Sequence, residues 1–141
     1  MRRFEPIEQD KLEIELLTHK GVTETATLTL IDISSVPPFD SRCKIKLKSE
    51  SISTEAVGFC YFSAFQAIRM ELDSLKLSPQ VYAAVENCYP SGMASDMGAG
   101  LKIYKLKLGI AAAIEDLVPA FSKNEFGNIV SVSTQRAFYE K

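Results

Sequence analysis

Histidine, paired cysteines, surplus charge and long apolar runs are scarce or missing in this chain, and each shortage removes a class of function. His19 is the one histidine, and Cys43, Cys60 and Cys88 are the three cysteines, with no Cys-x-x-Cys spacing among them. A structural zinc site needs a close set of nitrogen and sulfur ligands, so no metal is expected. Three widely spaced thiols in 141 residues do not make a disulfide framework either. The net charge of −2 gives no general attraction to nucleic acid or to anionic membrane. No run approaches the roughly 18 apolar residues of a membrane span. The opening residues Met1-Arg2-Arg3-Phe4-Glu5-Pro6 are basic but lead into no apolar stretch, so they do not read as a secretory signal. A reduced, cytoplasmic setting is expected, with no cofactor, no nucleic acid and no membrane partner.

What is present suffices for one packed domain over residues 1–141. Hydrophobic residues make up 46% and charged residues 24%, a balance that supports a core and argues against disorder. Leu12 to Leu17 alternates at period two and predicts a half-buried strand. After a His19-Lys20-Gly21 turn, Val22 to Ile33 is the clearest strand. Thr23, Thr25, Thr27 and Thr29 alternate with Ala26, Leu28 and Leu30, which predicts a wet face and a core face in one hairpin partner. Pro37 and Pro38 force a loop. Cys43, Ile45 and Leu47 then alternate with Lys44, Lys46 and Lys48 to give a third strand, and Ile52 to Tyr61 predicts a fourth, with a bulge at Gly58.

The period changes at Ser63. Phe65, Ile68, Leu72 and Leu75 fall on one helical face, and Ser63 with Gln66 has capping-box spacing. Ser78-Pro79 reads as a cap and a first-turn proline opening a short helix to about Glu86. Leu101 to Leu108 predicts a strand whose alternation slips near Tyr104, suggesting a bulge or a sheet edge. Ala111 to Val118 suits a short helix ended by Pro119, and Asn128 to Phe138 a last strand. Strands first and helices later indicate an α+β fold: an antiparallel sheet of about five or six strands on one main helix, with one or two short helices.

Between the second helix and the Leu101 strand lies Asn87 to Gly100, which carries three of the seven glycines and two of the four methionines. No lysine or arginine occurs between Lys76 and Lys102. Small uncharged residues in a row build no core, so this is a loop suited to contact. Gly98 and Gly100 resemble a phosphate cradle only superficially. Such a cradle needs a strand before it and a helix amino terminus after it, and the predicted order here is the reverse. Cys88 as a nucleophile would need His19 as its base, and the carboxyl end of a helix raises a thiol's pKa. Glu86, Asp96, Glu115 and Asp116 could supply paired carboxylates, but nothing in their spacing sets their pKa values apart. Phe59, Tyr61, Phe62 and Phe65 read as core packing, since only Arg69 lies near to make a nucleic-acid platform. Glu71, Asp73 and Lys76 read as the solvated side of the main helix. Met93 and Met97, flexible thioethers in a small-residue loop, suit an adaptable contact surface.

The run Gly58-Phe59-Cys60-Tyr61-Phe62-Ser63-Ala64-Phe65-Gln66-Ala67-Ile68, followed by Leu72, resembles a pattern in small uncharacterised bacterial proteins. In these, an antiparallel meander runs through a glycine into a helix bearing Phe/Leu-Gln-Ala. The resemblance covers about a third of the chain. It implies an α+β fold and a bacterial or phage source, and it carries no activity.

The function expected from these residues is non-enzymatic: an accessory or immunity-type domain that binds another protein, or itself as a homo-oligomer. Its contact loop would use Tyr89, Ser91, Met93, Ser95, Asp96 and Met97, with the lysine faces of the third strand and of Leu101–Leu108 as secondary surfaces. One alternative is a small enzyme or ligand-binding domain using the same loop, through Cys88, Ser91, Ser95 and Asp96. Another is a structural subunit that assembles through an edge strand, with Leu101–Leu108 as the candidate edge.

Overall fold

Alternating threonine and apolar residues give one strand two unlike faces, and the structure is built outward from that strand. The structure, a computed structural model, describes residues 7–33, 42–90, 100–107, 116–123 and 128–140, with the backbone alone for 7–9. Strand β1 (Ile7–Leu17) turns at Gly21, whose φ of +80° is left-handed, into β2 (Thr23–Asp32). Ala26, Leu28 and Leu30 of β2 are buried, while Thr23, Thr25 and Thr27 are exposed. β3 (Cys43–Lys48) and β4 (Ser53–Gly58) complete an antiparallel meander. Cys43, Ile45 and Leu47 are buried, and Lys46 and Lys48 point to solvent.

The main helix α1 (Tyr61–Ser74) packs across β3 and β4 and buries Tyr61, Phe62, Phe65, Ile68 and Leu72. It begins two residues before Ser63. Ser63 is its third residue, and its Oγ accepts from the Cys60 backbone N–H at 3.2 Å and donates to the Cys60 carbonyl at 3.0 Å. The capping pair is therefore Cys60 with Ser63 rather than Ser63 with Gln66. Gly58 forms no bulge, because the β3–β4 register runs unbroken from Lys48↔Ser53 to Cys43↔Gly58. Its requirement is close approach. A Cβ there would lie 2.5 Å from both the Ala64 nitrogen and Ser63 Oγ, so only glycine lets α1 turn back so tightly over β4.

The helix stops at Ser74, and Leu75, placed by the spacing on the core face, is 48% exposed at the C-cap. Lys76 then takes φ +57°, which ends the helical path. Ser78–Pro79 does not start a helix. It forms β5, a two-residue strand beside Leu16 and Leu17 of β1, at the end of the sheet order β4-β3-β2-β1-β5. A buried proline without an N–H is tolerated at such an edge. A single 3-10 turn follows at Tyr82–Ala84.

The second half builds a separate three-stranded sheet in the order β6-β7-β8. It comprises β6 (Cys88–Tyr89), β7 (Lys102–Lys105) and β8 (Leu117–Pro119). The strand expected over Leu101–Leu108 is β7, and it is the central strand rather than an edge: Tyr104 pairs with Tyr89 on one side and Leu117 on the other. Residues 111–115 of the helix expected at Ala111–Val118 lie outside the described residues, and Leu117 and Val118 are strand. Asn128–Phe138 is not a strand. Only Ile129 makes a β-bridge, to Val85. Ser131 then caps helix α2 (Val132–Tyr139), its Oγ accepting from the Thr134 N–H at 3.3 Å. Val132 and Gln135, three residues apart, face inward. One continuous core joins both sheets and α1, from Leu28 and Ile45 to Ile103 and Phe121. Among the described residues, no helix is long and apolar enough to cross a membrane.

Candidate functional site at the amino end of α1

The segment that the composition singles out begins and ends on the same part of the fold. At one end, Tyr89 in β6 is clamped by three side chains. Its ring meets Phe62 edge-on with centroids 4.9 Å apart and stacks on Tyr139 of α2 at 4.2 Å, with planes 17° apart. Its hydroxyl accepts from Gln66 Nε2 at 3.3 Å. At the other end, Gly100 is buried with φ +72°, and a Cβ there would come within 2.8 Å of the Phe62 nitrogen and 3.0 Å of Cys60 Sγ. Both ends therefore rest on the first turn of α1, and Phe62 touches each. Ser91, Met93, Ser95, Asp96 and Met97 lie outside the described residues.

Two exposed aromatic rings border these anchors. Phe59, next to the Cys60 that contacts Gly100, is 65% exposed, and Tyr139, stacked on Tyr89, is 45% exposed. Large rings left in water beside fixed anchors are the side chains that dominate binding when covered.

Beneath this surface lies a buried polar cluster that ties α1, the 3-10 turn and α2 together. Arg69 is 1% exposed and Gln135 fully buried. Arg69 Nη1 donates to Gln135 Oε1 at 2.6 Å and to the Ala83 carbonyl at 2.9 Å, while Nη2 donates to the Val130 carbonyl at 2.8 Å. The two N–H groups of Gln135 Nε2 are shared among the carbonyls of Ala83, Val85 and Cys88, at 2.8–2.9 Å. Burial pulls the Arg69 guanidinium down to about 10, opposed by the charge of Asp73, so it stays protonated at neutral pH. The cluster holds β6, and thereby Tyr89, against α2. Sequence reasoning misses it. Arg69 stands out there only as a base near aromatics, and Gln135 falls inside a predicted strand. The available signal is Ser131 followed by Thr134 and Gln135, a cap that opens a helix.

The thiols are placed as core residues. All three are free and buried. Burial pushes Cys88 up to about 12 and Cys43 up to about 11, and raises the phenol of Tyr61, which sits beside Cys43. A thiol held neutral in this way is a poor nucleophile. His19 is exposed in the β1–β2 turn. Of the carboxylates considered as a pair, Glu86 is half-buried beside β6 and Asp116 immediately precedes β8, while Asp96 and Glu115 lie outside the described residues. Among the described residues, no group of three or more histidine, cysteine, aspartate and glutamate side chains could hold a metal ion.

Two shallow surface grooves lie elsewhere. One, of about 540 Å³, crosses the solvent face of the meander between Lys11, Thr29, Lys46 and Glu55. The other, of about 500 Å³, runs between the sheets over Leu12, Leu30, Leu101 and Phe121. Compared with known families and with curated proteins, the chain matches no family model and no curated sequence.

Proposed function

We propose that this chain is a non-enzymatic binding domain that recognises another protein through the surface at the amino end of α1, comprising residues 89–100 with Phe59 and Tyr139 at its borders. The observation that carries this reading is the convergence of Tyr89 and Gly100 on Phe62. Tyr89 and Gly100, 11 positions apart in the sequence, both meet Phe62 in the first turn of α1, and contact groups held by fixed neighbours lose less entropy on binding. The exposed aromatics at the anchors are the residue types that concentrate binding energy. Tyr89, stacked and hydrogen-bonded, is the positioning residue. The polar members Ser91, Ser95 and Asp96 and the thioethers of Met93 and Met97 would supply adaptable contacts. The raised pKa values of Cys43 and Cys88 weigh against thiol chemistry at this surface. Three buried free thiols also suit a reducing, cytoplasmic setting, and that placement forms part of the proposal.

The test is affinity capture from the native cell with the unaltered chain, a Met93–Ala99 deletion and Tyr139→Ala, each checked for unchanged melting. A partner that the unaltered chain retains and both variants lose is expected. Equal recovery by all of them would overturn the proposal.

A further inference from the structure

The outer strand of the five-stranded sheet, β4, has a backbone edge that pairs with no strand among the described residues, and its polarity can be worked out from its turn. Ser49 N–H donates to the Ile52 carbonyl at 2.8 Å, which makes Ser49 and Ile52 a hydrogen-bonded pair across the hairpin. Pairs alternate along an antiparallel ladder. Thr54, Ala56 and Gly58 therefore bond inward to β3, and the N–H and C=O groups of Ser53, Glu55 and Val57 point outward. In the sheet order no strand lies beyond β4 among the described residues.

Two devices that commonly guard such an edge are missing from Ser53–Gly58. The strand has no proline, and its register shows no bulge. Its one charge, Glu55, faces the solvent side of the sheet, with Lys44 Nζ 3.3 Å away. Val57, on the outer part of this strand, is an exposed apolar side chain at 45%. Thr54 Oγ1 donates to Glu71 at 2.5 Å, and Gly58 lies under Ser63, so α1 runs along this edge with Glu71 on the side toward β4.

Independently of the α1 amino-end surface, we propose that a second copy of this chain pairs with β4, antiparallel about a two-fold axis at Ala56, to give one continuous ten-stranded sheet. Self-complementarity selects this occupant and this register. Side chains opposite each other in an antiparallel pair share a face, so a two-fold axis must pass through a residue. An axis at Glu55 would set two carboxylates directly opposite, which is destabilising. An axis at Val57 would leave only Ala56 to Gly58 overlapping. With the axis at Ala56, Glu55 exchanges backbone bonds with Val57 of the second copy, Thr54 faces Gly58, and Ala56 meets its counterpart in a close non-hydrogen-bonded pair. The two α1 helices then lie on the same face of the joined sheet, related by the two-fold axis.

Sedimentation and light scattering at up to about 100 μM, where a micromolar association is populated, should give about twice the 15.6 kDa of one chain. Val57→Glu would face Glu55 of the second copy while gaining Lys44, its own cross-strand neighbour, as a partner. It should be monomeric with an unchanged melting temperature. Under mild oxidation Ala56→Cys should cross-link two chains, since the Cα separation of such a pair, about 4.5 Å, suits a disulfide. Glu55→Cys should not cross-link, and neither should the unaltered chain with its buried thiols. A monomer at every concentration, a dimer indifferent to Val57→Glu, or cross-linking through Glu55→Cys in place of Ala56→Cys would each overturn the proposal.

Discussion

Arg69 donates through Nη1 to the Oε1 of Gln135 at 2.6 Å, joining α1 to α2 across 66 positions of sequence inside the core. The bonds of the guanidinium in this cluster go to uncharged acceptors. Its buried charge is offset by the carbonyls of Ala83 and Val130 and by an amide whose own N–H groups point into three carbonyls. Such a network stabilises only when complete, because a half-satisfied buried group keeps the whole desolvation penalty.

Removing either partner alone should therefore cost more than its share. Gln135→Leu strips an acceptor from Arg69 and a donor from three carbonyls, and Arg69→Met takes a donor away from the Gln135 side chain and from two backbone carbonyls. Each is expected to destabilise by about 2–4 kcal/mol. The double variant should cost less than the sum, with a coupling of about 1 kcal/mol or more. Urea unfolding of the four proteins measures this, and strict additivity would count against a single network.

Two glycines with similar backbone angles should respond very differently to alanine. Gly21 has φ +80° with open space where a Cβ would stand, whereas Gly100 has φ +72° and is closed in by Phe62 and Cys60. Gly21→Ala should cost about 1–2 kcal/mol, the strain of the left-handed backbone. Gly100→Ala adds overpacking and should cost about 2–4 kcal/mol. Thermal melts of both variants check the difference, and equal losses would mean that Gly100 is not held against α1.

The meander is legible in the sequence because its strands show a clean period of two, Thr against Leu in β2 and Lys against Ile in β3. The start of α1 is legible to within two residues. What fails are short segments whose state is decided by tertiary partners. Ser78-Pro79 carries a helix-opening signal, yet it is captured by the free edge of β1 at Leu16 and Leu17. Val132-Ser133-Thr134 has strand propensity, yet Ser131 caps it and Gln135 pins it as a helix over Ala83 and Cys88. For the candidate site, composition locates the segment and Tyr89, but not what holds it. The pairing of Tyr89 with Tyr139 spans 50 positions, and no local pattern encodes it.

The buried thiols give a reactivity test with a definite sign. In the folded chain Cys43 holds its proton up to about 11 and Cys88 up to about 12, while unfolded thiols release theirs near about 8.5. Above that ordinary value the unfolded state binds fewer protons, so this contribution to stability is complete below it and is lost as pH rises through about 11 and 12. Native protein at neutral pH should resist iodoacetamide, with Cys43 and Cys88 labelling only on unfolding. Mass spectrometry reads this directly, and rapid labelling of Cys88 in the folded protein would reopen a nucleophilic role.

The most direct measurement of the central claim is capture of a partner by the surface at the amino end of α1. The unaltered chain should retain a protein that is lost both by the Met93–Ala99 deletion and by Tyr139→Ala, with Val57→Glu, on the β4 edge, still able to bind it. A partner recovered equally by the deletion and by Tyr139→Ala, from proteins that melt like the unaltered chain, would contradict it.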